Sequence, residues 1–194
     1  MKPNKIRLMV EMGVLTAIVV VLEIFARSVK FGAFSITLAL APIVIGAALA
    51  GWKGGAWLGL VFGFMVLVTG DAAAFMTINA PGTIATCLLK GMLAGAAAGA
   101  VYKLLEKKSQ LLAVIAAAIV CPVVNTGVFL IGCLLFFLET VKGWGAANGY
   151  ENVGAYFLFG FVGLNFLVEL GINLALSTPI VRILNIIHKR FDKV

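Results

Sequence analysis

Asn165, Glu169 and Asn173 recur at four-residue intervals within a run of Phe, Val, Leu, Ile and Gly. That spacing puts all three side chains on one helical face. In a helix that crosses a bilayer, such a face is costly unless its polar groups meet protein or enclosed water. The stripe therefore predicts an interior site. Lys90 and the pair Asn125 and Thr126 lie at comparable depth in two other apolar segments, so four or five polar groups converge if these helices pack together. Two chemistries are open to such a set: hydrogen bonding among the helices themselves, or a cavity for a small polar solute. The second is the reading taken. Counted along straight helices, Lys90 lies about eight residues or ~12 Å below the outer end of its helix and Glu169 about sixteen residues or ~24 Å below its own. This separation assigns Lys90 to an anionic group of the ligand instead of to Glu169.

Other chemistry is missing. There is no GxxxxGK[ST] phosphate loop, no HExxH and no other metal-ligand spacing, and the single histidine, His188, lies in a basic tail. Cys87, Cys121 and Cys133 all fall inside apolar segments without CxxC spacing and read as small packing residues. No nucleophile has a base at hand. The expectation is a protein with no catalytic residue, no metal and no cofactor, which is not an enzyme.

The elements that must position the polar groups follow from composition. Of 194 residues, 62% are hydrophobic and only 12% charged, with a mean hydropathy of +1.12. This describes an all-α integral membrane protein, and a ~30 Å hydrocarbon core leaves room for at most about six or seven spans. An ATPase or large partner would be a separate chain. Residues 1–194 are read as one membrane domain of six transmembrane helices, spanning about 6–26, 34–51, 55–70, 82–105, 111–138 and 153–187. Glu11 and Glu23 mark the first as a retained helix and not a signal peptide. Pro42 kinks the second or marks its true beginning. Gly55, Gly59 and Gly63, and again Gly91, Gly95 and Gly99, form two double GxxxG rows that suggest two closely packed helices. Gly13 and Ala17 are a further small pair on one face of the first helix. The stretch 71–81, with Asp71, Thr77, Asn79 and Pro81, is either a loop folded over a cavity or a plain surface turn.

Arg27, Lys30 and Lys142 fall on one side of this topology. Lys2, Lys5, Arg7, Lys53, Lys103, Lys107, Lys108, Arg182, Lys189, Arg190 and Lys193 fall on the other, which carries both termini. By the positive-inside rule the termini are cytoplasmic and the irregular loops face outward. The net charge of +7 thus reflects orientation and not nucleic-acid binding.

Ile36-Thr37-Leu38 before Pro42 and Gly46, the turn from Gly51 to Gly55, the run Gly59-Leu60-Val61-Phe62-Gly63, Asn79-Ala80-Pro81-Gly82, and Lys90-Gly91 through Gly99 to Tyr102 together resemble one family. It is the substrate-binding S components of energy-coupling factor (ECF) transporters. The resemblance implies a six-helix S-component bundle in the plasma membrane of a prokaryote. It also implies high-affinity binding of a water-soluble vitamin, and partnership with a membrane-embedded coupling subunit and a pair of ATPases. It implies that Gly13 and Ala17, matching an Ala-x-x-x-Ala spacing, dock on the coupling subunit. The vitamin pocket would lie in the outer halves of the last three helices with outward loops as lids, where Asn79, Lys90, Asn125, Asn165 and Glu169 are candidates for substrate binding. Among vitamins, the absence of an aromatic cluster in the pocket helices disfavours a flat ring, and Lys90 suits a carboxylate or phosphate. Pantothenate is preferred, with riboflavin second. The alternatives are a free-standing ion-coupled carrier, in which Glu169 and Lys90 exchange a proton, and a structural subunit without a ligand.

Overall fold

The computed structural model describes residues 5–26, 30–31, 34–35 and 38–191. Lys2, Arg27, Ser28, Gly32, Ile36, Thr37 and Lys193 lie outside the described residues, as do the side chains of Lys30, His188, Lys189 and Arg190. Apart from an antiparallel pairing of Lys30 with Ser35 and Phe31 with Phe34, the described regular structure is helical. The chain is multi-pass, and among the described residues five helices are long and apolar enough to cross a membrane. Helices suit this composition because lipid offers no partner to a backbone N–H or C=O.

Helix α1 (Lys5–Ala26) buries only Leu15, Val19, Glu23 and Ala26, a face of four- and three-residue steps that meets α2. The Trp57 indole N–H donates to Thr16 Oγ1 at 3.2 Å across that contact. Helix α2 (Leu40–Val68) reverses at Gly51, whose φ of +67° belongs to the left-handed region that glycine enters at no steric cost. The expected second and third spans are therefore the two legs of one hairpin, 40–50 and 52–68. Across the turn, a Cβ on Gly54 would run into Ala50 and one on Gly46 into Leu58. Helix begins at Leu40 and not at 34, since residues 34–35 are paired as strand. Pro42 sits in the first turn, where its missing N–H costs nothing. The first leg is roughly 16 Å long at 1.5 Å per residue, about half a hydrocarbon thickness. Leu40, Ile43, Val44 and Ala47 are fully buried, so this leg is the centre of the core and not a lipid-facing crossing.

Helix α3 (Ala73–Met76) is a single turn in the loop before α4 (Ala80–Leu105). The glycine rows of α2 and α4 face each other in opposite directions: a Cβ on Gly55 would overlap the Gly95 carbonyl, one on Gly59 the Gly91 carbonyl, and one on Gly63 the Cys87 carbonyl. The expectation of two closely packed helices holds, with backbone against backbone. Gly99 seats the hairpin turn, since a Cβ there would lie 2.6 Å from Trp52 Cα.

Helix α5 (Gln110–Phe136) starts at Ser109, whose Oγ accepts from the Leu112 N–H, and it packs on α4 and α8. Between the expected fifth and sixth spans, residues 139–147 are not loop but most of a helix, α6 (Leu138–Ala147). Val141 and Gly145 point inward from it at helical spacing, and Lys142 pairs with Glu139 at 2.7 Å on its exposed side. The last span is not one helix. A short α7 (Val153–Ala155) runs into a π-helical turn (Tyr156–Phe161), and α8 (Gly163–Phe191) follows after a break at Val162. The Leu158 carbonyl lies where a Cβ of Gly163 would be, so the change of winding needs glycine at that position.

Candidate functional site

Lys90, Asn125, Asn165 and Glu169 line one cavity of about 60 Å³, joined by Thr126. Glu23 reaches it from α1, Phe62 and Val66 from α2, Asp71 from the loop before α3, Phe129 from α5, and Val162 and Phe166 from either side of the final break. The expected convergence of polar groups from separate helices is what the fold produces. The straight-helix count that separated Lys90 from Glu169 by depth does not apply, because the last span is broken at Val162, but no ion pair joins the two among the described residues.

The cavity's charge is held in an apolar frame. The Lys90 ammonium sits 5.5 Å from the Phe62 ring centroid and 5.2 Å from that of Phe129, a double cation-π contact. Such contact orients the ammonium yet uses none of its three N–H donors in a hydrogen bond. Among the described residues no carboxylate lies within ion-pair distance of it. Glu23 is 4% exposed, Glu169 7% and Asn125 6%. The Asn125 Oδ1 is buried without a hydrogen-bond partner. Among the described lining residues Lys90 is the cation, beside the amides of Asn125 and Asn165 and the hydroxyl of Thr126.

Asn173 and Asn79 stand apart from it. Asn173 is 1% exposed, lies outside the lining of the cavity, and donates from Nδ2 to the Glu169 carbonyl at 2.8 Å. Asn79 is the N-cap of α4: its Oδ1 accepts from the Gly82 N–H at 3.0 Å and its carbonyl accepts from Thr83 Oγ1, with Pro81 in the first turn. It does not line the cavity. Glu23 belongs to the site although the sequence reading used it only against a signal peptide. The usable signal was the one applied to Lys90, an ionisable group in an apolar helix.

The stretch 71–81 folds onto the cavity, which decides between the two readings of that loop. Phe75 from α3 packs against Phe129 (5.7 Å between centroids), Phe137 (4.9 Å), Trp144 of α6 (5.5 Å) and Phe161 of the π turn (6.3 Å). The expectation that the pocket helices lack an aromatic cluster is corrected here. Phe75, Phe129, Phe137 and Trp144 arrive from separate segments, and the π turn adds Tyr156, Phe157 and Phe161, a run that the sequence does show.

Residues 7–181 match the sequence profile of a family described as "ECF transporter, substrate-specific component". The chain belongs to this family of ECF transporter S components. It is accordingly a transport subunit without catalytic activity, and S components work with an energising module of a T component and ATPases. Membership sets aside the free-standing ion-coupled carrier. Among curated proteins, the pantothenic acid transporter PanT of Lactococcus lactis subsp. cremoris is 28% identical over 198 residues, covering 93% of this chain and 95% of its own length. No solved structure matches. For the S component the cavity is then the candidate substrate site. The outward face of α1 is a candidate contact for the T component: a Cβ on Gly13 would meet nothing within 4 Å, and Ala17 is exposed beside it.

Proposed function

We propose that this S component binds pantothenate in the cavity around Lys90, with Asn125, Asn165 and Glu169 as further ligand contacts. The observation that carries the reading is Lys90, an ammonium between Phe62 and Phe129 with its N–H donors unspent, beside the amides of Asn125 and Asn165 and the hydroxyl of Thr126. Such a wall favours a solute with one carboxylate and with hydroxyl or amide groups for the neutral side chains. Pantothenate has one carboxylate, one amide N–H and two hydroxyls. Riboflavin, the second candidate, is neutral and gives Lys90 no charge to meet. The name of the Lactococcus relative supports the same choice, which rests on charge and not on any scarcity of rings.

Isothermal titration of the detergent-solubilised chain against water-soluble vitamins tests the reading. Pantothenate is expected to bind tightly and raise the melting temperature by mass action. Lys90→Met is expected to weaken it by about 100-fold, since a hydrogen bond to a charged group contributes about 1.5–3 kcal/mol. Tight binding of riboflavin, indifferent to Lys90→Met, would overturn it.

The same proposal places the termini in the cytoplasm of a prokaryotic cell, the cavity facing outward, and Gly13 and Ala17 against the coupling subunit. Gly13→Leu or Ala17→Leu holds a partner helix away, so uptake by the whole transporter is expected to fall at least tenfold while binding by the isolated chain is unchanged. Loss of both together would show that this face serves the chain's own packing.

A further inference from the structure

Three carboxyl groups share the cavity with one ammonium. Glu23 of α1, Asp71 of the loop before α3 and Glu169 of α8 line the same space of about 60 Å³ as Lys90, while the other polar lining residues, Asn125, Thr126 and Asn165, are neutral. With every acid ionised, negative charge already exceeds positive in the described lining. An anionic solute adds a fourth negative charge between walls that include Phe62, Val66, Phe129, Val162 and Phe166, where charge is screened less than in water. Entry of a carboxylate therefore favours entry of a compensating positive charge.

The three acids differ in what surrounds them. Asp71 is only half-buried, so water screens its charge. Glu23 is followed four residues later in the sequence by a base, Arg27. Glu169 is buried, and the positions one turn to either side of it on α8 are the amides Asn165 and Asn173. The Asn173 Nδ2 donates to the Glu169 carbonyl and not to its carboxylate. Arg182, the next base along α8, lies thirteen residues or ~20 Å further on. The titratable groups around Glu169 are Lys90 of α4, Glu23 of α1, Asp71 and the buried thiol of Cys121 on α5, and α2 contributes only Phe62 and Val66 to the lining. Lys90 is thus the described cation that shares the cavity with it.

We propose that Glu169 takes up a proton from solvent when the ligand binds, so that an anionic solute and a proton occupy the cavity together. The inference rests on the pantothenate reading and deepens it. When the ligand's carboxylate meets the Lys90 ammonium, the positive charge that favours an ionised Glu169 is cancelled and a further anion stands beside it. Both changes favour the neutral acid. A protonated Glu169 also has an O–H to donate to an oxygen of the ligand, which its carboxylate form lacks. A metal ion is the other possible counter-charge, but among the described residues no three His, Cys, Asp or Glu side chains are grouped to hold one. The proton returns to solvent when the ligand leaves, and none passes between Glu169 and Lys90.

The test is isothermal titration of the full-length chain in detergent with pantothenate, repeated at one pH in buffers of different ionisation enthalpy, which counts the protons taken up. About one proton per ligand is expected near neutral pH. Because the complex holds the extra proton, affinity is expected to rise as pH falls, by up to about tenfold per unit, over a range kept above ~5 so that the ligand's own carboxylate stays ionised. Glu169→Gln, which fixes the neutral form, is expected to take up no proton and to bind with an affinity independent of pH in that range. Glu169→Asp keeps an acid and is expected to keep the uptake. Pantothenate binding without proton uptake by the unsubstituted protein, uptake retained in Glu169→Gln or lost in Glu169→Asp, or affinity that rises with sodium chloride and not with choline chloride would each overturn the proton site while leaving pantothenate binding standing. Failure of the unsubstituted protein to bind pantothenate would overturn both proposals together.

Discussion

Where α2 meets α4 the two backbones touch through glycine; where α3, α6 and the π turn meet α5, large rings are what touch. The first contact has no side chains to adjust. A Cβ added at Gly55, Gly59 or Gly63 collides with a carbonyl group of the facing helix, and a Cβ at Gly91 or Gly95 does the same in return. Close approach of this kind supplies packing attraction in a solvent that offers no hydrophobic drive between helices. The second contact is made by the side chains themselves, edge-to-face, tilted and stacked rings with centroids 4.9–6.3 Å apart. The cavity lies between the two, with Phe62 and Val66 from the glycine-bearing leg on one wall and Phe129 from the ring cluster on another. The glycine contact fixes the helix that carries Lys90, and the ring cluster bounds the cavity from the other side.

The sharpest way to break this contrast is at Gly59. Gly59→Val is expected to cost about 3 kcal/mol or more, at the upper end of overpacking, because the obstruction is backbone and cannot swing away. The measurement is the melting temperature in detergent, and a drop of only a degree or two would show that the helices can part cheaply. Phe75→Ala addresses the other side. Removing the ring that touches four others is expected to speed pantothenate release about tenfold, read by stopped-flow or filter-binding dissociation, with a smaller loss of unliganded stability than Gly59→Val. If Phe75→Ala destabilised the free protein as much as Gly59→Val, the ring cluster would be core and not cover. The smallest effect is expected at Asn79, whose oxygen caps α4 away from the cavity. Asn79→Ala is expected to cost about 1 kcal/mol of stability, as a lost N-cap does, and to leave ligand affinity within about twofold. A large affinity loss in a stable Asn79→Ala protein would return this residue to the binding site.

Composition alone determined that the chain is helical and membrane-spanning, because lipid leaves a backbone few other options. Spacing alone determined that Gly55, Gly59 and Gly63 and Gly91, Gly95 and Gly99 are contact rows, since glycine at every fourth position is useful chiefly where two helices approach closely. Intramembrane polarity was enough to bring Lys90, Asn125, Asn165 and Glu169 to one site, because such groups must turn inward together. What the tertiary structure decided is what depends on partners distant in the chain. Whether an Asn caps a helix or faces a ligand is invisible in its type, and Asn79 and Asn125 differ only in what surrounds them. Glu23 enters the cavity because α1 packs on α2, and the ring cluster exists because aromatics from α3, α5 and α6 meet the run Tyr156, Phe157 and Phe161 of the π turn. The break at Val162 and the inward face of α6 were likewise decided by packing: a helix that is apolar throughout carries no periodic signal of its own, and only its neighbours determine where its winding must change.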